Sequence, residues 1–479
     1  MLTIPGPHSR YCDGISRRSW LKIGGLALGG LSLPEVLRAQ SLPSPSGRGV
    51  GGEGSRLAKG VIMVLLPGGP THLETFDLKP DAPAEIRGEF RPTATNVPGM
   101  DICELMPRLS RLADKFTLIR SLVGFRDDHN THWCTTGWES HPAMDASPQI
   151  PGFPPGDWPS LGAVLSRSLG PRVAGVPPCV DLTPVDADAR FILRTPPGQP
   201  GYLGVAHAGF EAKAVDRRNI MLNGMDLRRL RDRRAMLAGF DGFRRQADAN
   251  NLGSGLDTFQ QQAFEVLTAP RLATALDLSR EDERTRRLYS LDREYPDERE
   301  GKHYLDQFLL ARRVIDAGAR CVTLAFSRWP FGRVLRGDHN WDWHRDLFPE
   351  ARKTLPLLDL GLSALIQDLH QRGTLNDVAV VVWGEFGRTP RINGNAGRDH
   401  WARVCSALVA GGGLRTGQVL GSTSRWAEEP RTRPVHFRDV FATLYQRLGI
   451  DVATAQFNDL SGRPQYLLGN HRAVDELVG

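Results

Sequence analysis

The chain is poor in cysteine, with six in 479 residues. Cys12 lies near the N-terminus. Cys103, Cys134, Cys179, Cys321 and Cys405 are odd in number, widely spaced and without any CxxC pair. That pattern excludes a disulfide framework, and most of these residues read as small buried hydrophobes. There is no concentrated basic run either. The formal net charge is +6 and the pI about 9.1, but five Lys/Arg (Arg10, Arg17, Arg18, Lys22, Arg38) sit in the first forty residues against two acids. The rest is spread thinly, which excludes the basic stripe of a nucleic-acid binder. The N-terminal apolar stretch, Ile23 to Leu33, is about eleven residues and holds four glycines. A membrane span needs roughly 20, so the mature chain is expected to have none. Internal repeats are also missing.

What is present starts at the N-terminus. "SRRSWLKIGGLALGGLSLPEVLRAQ" pairs Arg17 with Arg18, follows with Trp20, Leu21 and Lys22, and reaches a small residue at Ala39. This is the pattern of a twin-arginine signal over residues 1–40, with cleavage expected after Ala39. It implies the twin-arginine export machinery as a partner and a periplasmic or cell-surface location. Residues 41–58, "SLPSPSGRGVGGEGSRLA", are Ser/Gly/Pro-rich and read as a flexible linker.

From residue 59 the pattern changes. Continuous apolar runs at Val61–Leu66, "RCVTLAF", "DVAVVVW" and "SALVAGGGL" read as buried strands. Helical spacing appears at about 104–115, in "GKHYLDQFLLARRVIDAG", at 355–373 and in "FRDVFATLYQRLGI". A short strand is expected at about 116–120. Residues 142–210 are rich in proline and glycine and read as long loops; residues 213–318 are charged and largely helical. The alternation predicts one α/β domain over 59–479, a sandwich with a mostly parallel central sheet flanked by helices. A loop-rich and helical insertion is expected around 142–300. In such folds ligands bind beyond the carboxyl ends of the strands.

Four segments near those strand ends hold six of the twelve histidines that follow Ser41. "PGGPTHLETFD" carries His72, Glu74 and Asp77. "FRDDHNTHWCTTG" carries Asp127, Asp128, His129 and His132. "GDHNWDWHRD" alternates, so that an extended chain would point Asp338, Asn340, Asp342 and His344 one way and His339, Trp341 and Trp343 the other. "WGEFGRTPRINGNAGRDHW" carries Glu385, Arg388, Arg398, Asp399 and His400. Histidine with carboxylate is the natural donor set for zinc or a harder divalent ion. Each segment also has a plain structural reading, as turn caps, solvated loop charges or satisfied buried histidines. Arg388 and Arg398, beside glycines and near carboxylates, either bind an anion or lock the site by bidentate pairing.

The succession "LLPGGPTHLETFD…RSL…TGW…DWPSLG…GYLG…LLARRVIDAGARCVT…DWH…LIQDLHQRGTLNDVAVVVWGEFGRTPRINGNAGRDHW…LVAGGG…GRP" resembles the exported bacterial proteins grouped as domain of unknown function 1501. The resemblance covers roughly residues 58–479. It implies the alkaline phosphatase and sulfatase superfamily, with one or two divalent ions at the carboxyl edge of the sheet: zinc, calcium or magnesium. Under it, Asp342 and His344 match an Asp-x-His ligand pair and His400 completes that metal. Glu385 stands where a second ligand pair is common, with Phe386 in place of its partner, and His72 and Glu74 stand in for a missing first aspartate. Arg388 or Arg398 would steady an anionic group, and His129 or His132 would act as general base. The chain contains no Cys/Ser-x-Pro-x-Arg segment, the nucleophile motif of sulfatases. Two functions are therefore expected. One is a metal-dependent hydrolase of a phosphate or sulfate ester, on an anionic small molecule or glycan. The other is a non-catalytic cell-surface or glycan-binding protein with a degenerate metal site.

Overall fold

Four apolar runs of the sequence become neighbouring strands of one nine-stranded sheet. The structure, a computed structural model, describes residues 57–139, 157–183, 197–212, 264–265, 270–292, 302–326 and 341–478. The twin-arginine segment, most of the linker, residues 213–263 of the charged stretch and the pair Asp338-His339 lie outside the described residues. Residues 56–479 form one compact unit.

The strands are β1 (Gly60–Leu65), β2 (Phe116–Val123), β3 (Cys179–Asp181), β4 (Phe210–Glu211), β5 (Cys321–Ala325), β6 (Val378–Trp383), β7 (Gly387–Arg388), β8 (His400–Trp401), β9 (Cys405–Gly411), β10 (Gln418–Leu420) and β11 (Val435–His436). The large sheet runs β10-β2-β9-β6-β1-β5-β3-β4, with β11 also paired to β2. All its pairings are parallel except those of β9, which is antiparallel to β2 and β6. The exception has a simple cause. After β6 the chain stays at the carboxyl edge, makes the small β7–β8 ribbon, and returns directly as β9 without a crossover helix. Strands β1, β5, β6 and β9 are buried along their whole length. Covered on both faces, they need no polar alternation, and so they read as unbroken apolar runs.

Five helices matter for the site: α1 (His132–Thr136), α2 (Leu161–Leu169), α3 (Lys302–Ala317), α4 (Leu347–Gln371) and α5 (Phe437–Arg447). The expected strands and the helices α3 and α5 are present. Three expectations need correction. Residues 142–210 are not loop throughout. They supply α2, whose N-cap Ser160 Oγ accepts the Ala163 amide at 3.2 Å, and the short strands β3 and β4, too brief to show any period. The helix expected at 104–115 is a 3₁₀ segment over Leu109–Lys115; Pro107 lacks an amide proton and disfavours helical backbone before it. Helix α4 begins at Leu347, eight residues earlier than the spacing indicates. Its buried stripe of Leu347, Phe348, Ala351, Leu355 and Leu358 carries the helix past Pro356. Among the described residues no helix is long and apolar enough to cross a membrane.

Candidate metal centre

Because β9 reverses direction between them, β2 and β6 run the same way, as do β1 and β5. Their carboxyl ends open on one edge, and the histidine-bearing segments leave from there. His129 lies between β2 and α1. Asp342 and His344 precede α4, Glu385 follows β6, and His400 is in β8.

Four side chains converge. His129, Asp342, His344 and His400 each offer one donor atom, and the four atoms lie within 4.8 Å of one another. Asp342 is the hub. Its Oδ2 is 3.2 Å from His129 Nε2, and its Oδ1 is 3.0 Å from His344 Nε2 and 3.3 Å from His400 Nε2. The Nε2 atoms of His344 and His400 are 3.0 Å apart. Donors bound at zinc distances in a tetrahedral shell stand roughly 3.3 Å from one another. The separations among Asp342 Oδ1, His344 Nε2 and His400 Nε2 are near that spacing, and the donor types suit a divalent ion.

The other nitrogen of each imidazole is also accounted for. His129 Nδ1 donates to Glu385 Oε1 at 3.1 Å. His344 Nδ1 donates to Asp399 Oδ1 at 2.8 Å. His400 Nδ1 stands 3.0 Å from Asp127 Oδ1. A carboxylate behind Nδ1 holds the proton there and leaves the Nε2 lone pair for a metal, and it raises ligand basicity as well. Three such pairs around one hub is the feature that separates this group from an ordinary polar loop. Glu385 is itself fixed: its Oε1 accepts the Gly68 amide at 2.7 Å, and it is fully buried.

Electrostatics follow the contacts. Burial alone would raise the Asp342 carboxyl, but contacts with His129, His344, His400 and Arg388 outweigh it and hold the group well below the usual carboxylate range. Burial pulls His129 down, yet Asp342 and Glu385 push it up to about 9. His344 is raised, first by Asp342, with Asp399 adding to the effect. A preformed anionic hub with imidazoles turned towards it is a pocket for positive charge.

The remaining candidates fall into distinct places. Arg388 belongs to the cluster but is saturated. Its Nη2 meets Asp342 Oδ1 at 2.5 Å and also donates to Gly68 O; Nε donates to Gly69 O at 2.8 Å and Nη1 to Arg398 O at 3.0 Å. With these contacts and near-complete burial, it locks the turn after β1 to the hub rather than reaching for an anion. The turn needs glycine: Gly69 has φ +69°, and a Cβ there would meet the Phe386 ring at 2.2 Å. Phe386, in place of a second ligand, packs against His129 and His400 with ring centroids 5.1 and 4.5 Å away. Glu385 stands behind His129, not among the four converging donors.

His72, Glu74 and Arg398 form a separate buried node. Both Glu74 oxygens are taken by Arg398, with Nε at 3.1 and 2.9 Å and Nη2 at 2.5 Å. The remaining Arg398 donors go to the carbonyls of Thr389, Pro390 and Ile86. His72 Nε2 donates to Ala427 O at 3.0 Å. None of the three joins the converging donors; bidentate pairing and burial explain them instead. His132 is also elsewhere. Its Nδ1 accepts from Gln199 Nε2 at 2.8 Å and its Nε2 is 3.3 Å from Asp157 Oδ1, so it ties α1 to the segment before α2.

Sequence reading placed Asp127 and Asp399 in the right segments but gave them no role, and it took His129 for a base. No local signal assigns these partners: two of the three carboxylates, Glu385 and Asp399, come from the segment of His400, and the third, Asp127, comes from the segment of His129. Trp341 and Trp343 do pack behind, buried with ring centroids 5.1 Å apart, as the alternation around Asp342 and His344 predicts.

Fold and site together define an α/β protein with a histidine-carboxylate donor cluster at the carboxyl edge of a mostly parallel sheet. The chain belongs to the family described as protein of unknown function DUF1501, whose model matches residues 58–478. No curated protein matches the sequence. Among solved structures it is similar to the PsFucS1 sulfatase from Pseudoalteromonas sp., with 12% identity, TM-score 0.37, and 88% of this chain and 71% of that one covered. It is also similar to the phosphonate monoester hydrolase SpPMH from Silicibacter pomeroyi (11%, 0.36, 87% and 75%). A third is the lipoteichoic acid synthase LtaP from Listeria monocytogenes (11%, 0.34, 86% and 76%).

Proposed function

We propose that the protein is an exported metal-dependent hydrolase of a phosphate or sulfate ester. The observation that carries the metal reading is the set of three imidazoles, each tethered at Nδ1 by a carboxylate, with Nε2 atoms gathered around Asp342. His129, Asp342, His344 and His400 would hold the ion. Three nitrogen donors and one carboxylate favour zinc over the all-oxygen preferences of calcium and magnesium. A bound ion would supply Lewis acidity towards an ester oxygen and compensate its negative charge. Glu385, Asp399 and Asp127 keep the imidazoles turned inward. Arg388 neutralises part of the hub's charge and fixes the turn after β1 against it. His344, the most open of the four at 42% side-chain exposure, marks the side from which substrate would approach. The hydrolase assignment rests on the superfamily resemblance of the sequence, and the location on Arg17-Arg18 and the apolar segment after them.

The test is metal analysis of the purified mature protein together with a screen of aryl phosphate and sulfate esters. Stoichiometric zinc with ester turnover is expected. Absence of stoichiometric metal would overturn the metal reading. Metal without turnover of either ester class would overturn the hydrolase reading in favour of a binding protein, to which the missing Cys/Ser-x-Pro-x-Arg segment points.

A further inference from the structure

The five cysteines between β1 and the C-terminus are free and buried, but two of them are neighbours. Cys179 opens β3 and Cys321 opens β5, and they are direct Cα partners in a parallel pairing. Residues in register on adjacent parallel strands point to the same face. Adjacent strands lie about 4.8 Å apart, inside the roughly 4.4–6.8 Å Cα separation of disulfides. The facing helix confirms that the side chains share one space. A Cβ added at Gly162 of α2 would stand 2.1 Å from Cys179 Sγ and 3.5 Å from Cys321 Cβ. The Cys179 thiol is pushed well up, first by its contact with the Cys321 thiol and then by burial. The other cysteines lack this arrangement. Cys103 lies opposite Pro92 in a two-stranded ribbon. Cys134 and Cys405 belong to α1 and β9, a helix and a strand, which share no register.

We propose that Cys179 and Cys321 form a cross-strand disulfide when the chain folds in the presence of a disulfide oxidant. The Cys179 thiolate attacks one sulfur of the oxidant disulfide, forming a mixed disulfide with it and expelling the other sulfur as the first thiol. The Cys321 thiolate then displaces the second thiol and closes the Cys179–Cys321 bond. Two protein thiols are oxidised and one oxidant disulfide is reduced, with two protons passing to the released thiols. The bond would tie the thin edge of the sheet, where β3 is held to β5 by three register pairs, and would close a loop spanning residues 179 to 321. Its stabilising effect comes largely from restricting the unfolded chain. This inference stands independently of the metal site.

Refolding the full chain across graded ratios of oxidised to reduced glutathione, followed by quenching with N-ethylmaleimide and peptide mapping, tests it. With alkylation carried out under denaturing conditions, the expected product carries a Cys179–Cys321 cross-linked peptide, a mass about 2 Da lower for that pair, and N-ethylmaleimide at Cys12, Cys103, Cys134 and Cys405. Its melting midpoint should rise by roughly 2 °C or more over the reduced form. Cys321→Ser should lose both the cross-link and the rise. Alkylation of both Cys179 and Cys321 at the most oxidising ratio would overturn the proposal, as would a cross-link that joins other cysteines. A cross-link without the thermal rise would overturn the stabilising role.

Discussion

Among the described residues, two large groups of buried charge are assembled by opposite rules. Around Asp342, three histidines present the same kind of atom to one point, and their counter-charges stand behind them. Around Arg312, opposite charges alternate and close on each other. Arg312 meets Glu281 at 2.7 Å, Asp368 at 2.8 Å and Asp316 at 3.3 Å; Arg313 meets Glu281 at 2.5 Å and Arg372 meets Asp368 at 2.6 Å. Tyr289 adds a hydrogen bond to Asp368 at 3.1 Å. The second group satisfies itself and binds α3 to α4 and to the segment before them. The first has its donors turned towards a shared position that a cation would complete. Density of charged residues does not distinguish a site from a brace; the direction of the lone pairs does.

The largest expected effect comes from breaking the hub. Asp342→Ala removes the only carboxylate among the four donors, so metal affinity should fall by more than about 100-fold, read by equilibrium dialysis against zinc. Unchanged affinity would refute the ligand assignment. The same experiment on the brace should give the reverse pattern. Arg312→Met removes the cation that Glu281 and Asp368 share and leaves them with Arg313 and Arg372 alone. It should cost about 3–5 kcal/mol of stability in urea unfolding with metal content unaltered.

Next in size are the carboxylates behind the imidazoles. Asp399→Asn and Glu385→Gln keep shape but remove charge, and each should weaken zinc binding by roughly 10- to 100-fold while leaving the unfolding midpoint nearly in place. If either variant unfolds more easily and binds zinc normally, that carboxylate belongs with the braces. The smallest effect is a pH dependence of the brace. Burial pushes the Glu281 carboxyl up, but Arg313 and Arg312 outweigh it and leave it below its ordinary value of 4.5. A carboxylate depressed in the folded state stabilises at pH above its unfolded value and loses that contribution as pH falls through the folded one. Urea midpoints should therefore be insensitive to this group from about pH 7 to 5 and decline below about pH 4, with Glu281→Gln flattening the decline.

Much of the fold was legible because its central strands are buried on both faces. Continuous runs such as Val378–Trp383 leave no other reading, and Gly373, with φ +69°, marks the end of α4 where a C-cap glycine is expected. The edge was not legible. Strands β3 and β4 are three and two residues long, and they pair only because β5 is already there. In the site, the types of donor and the Asp342–His344 alternation could be read from neighbours in sequence. The roles of His72, Glu74, His132 and Arg398 could not. Each carries the right chemistry near a strand end, and each is spent on a partner far away in the chain: Glu74 on Arg398, His132 on Asp157 and Gln199.

The sequence by itself determined which segments form the central strands of the sheet and which segments carry histidine beside carboxylate. Apolar runs, and histidine beside carboxylate, are local properties that owe nothing to distant residues. Only the tertiary structure decided that His129 joins Asp342, His344 and His400 while His132, three residues on, faces away. That choice depends on the register of β2 beside β9 and on the first turn of α1. These set the direction in which each imidazole points, and direction is what makes four polar side chains a site.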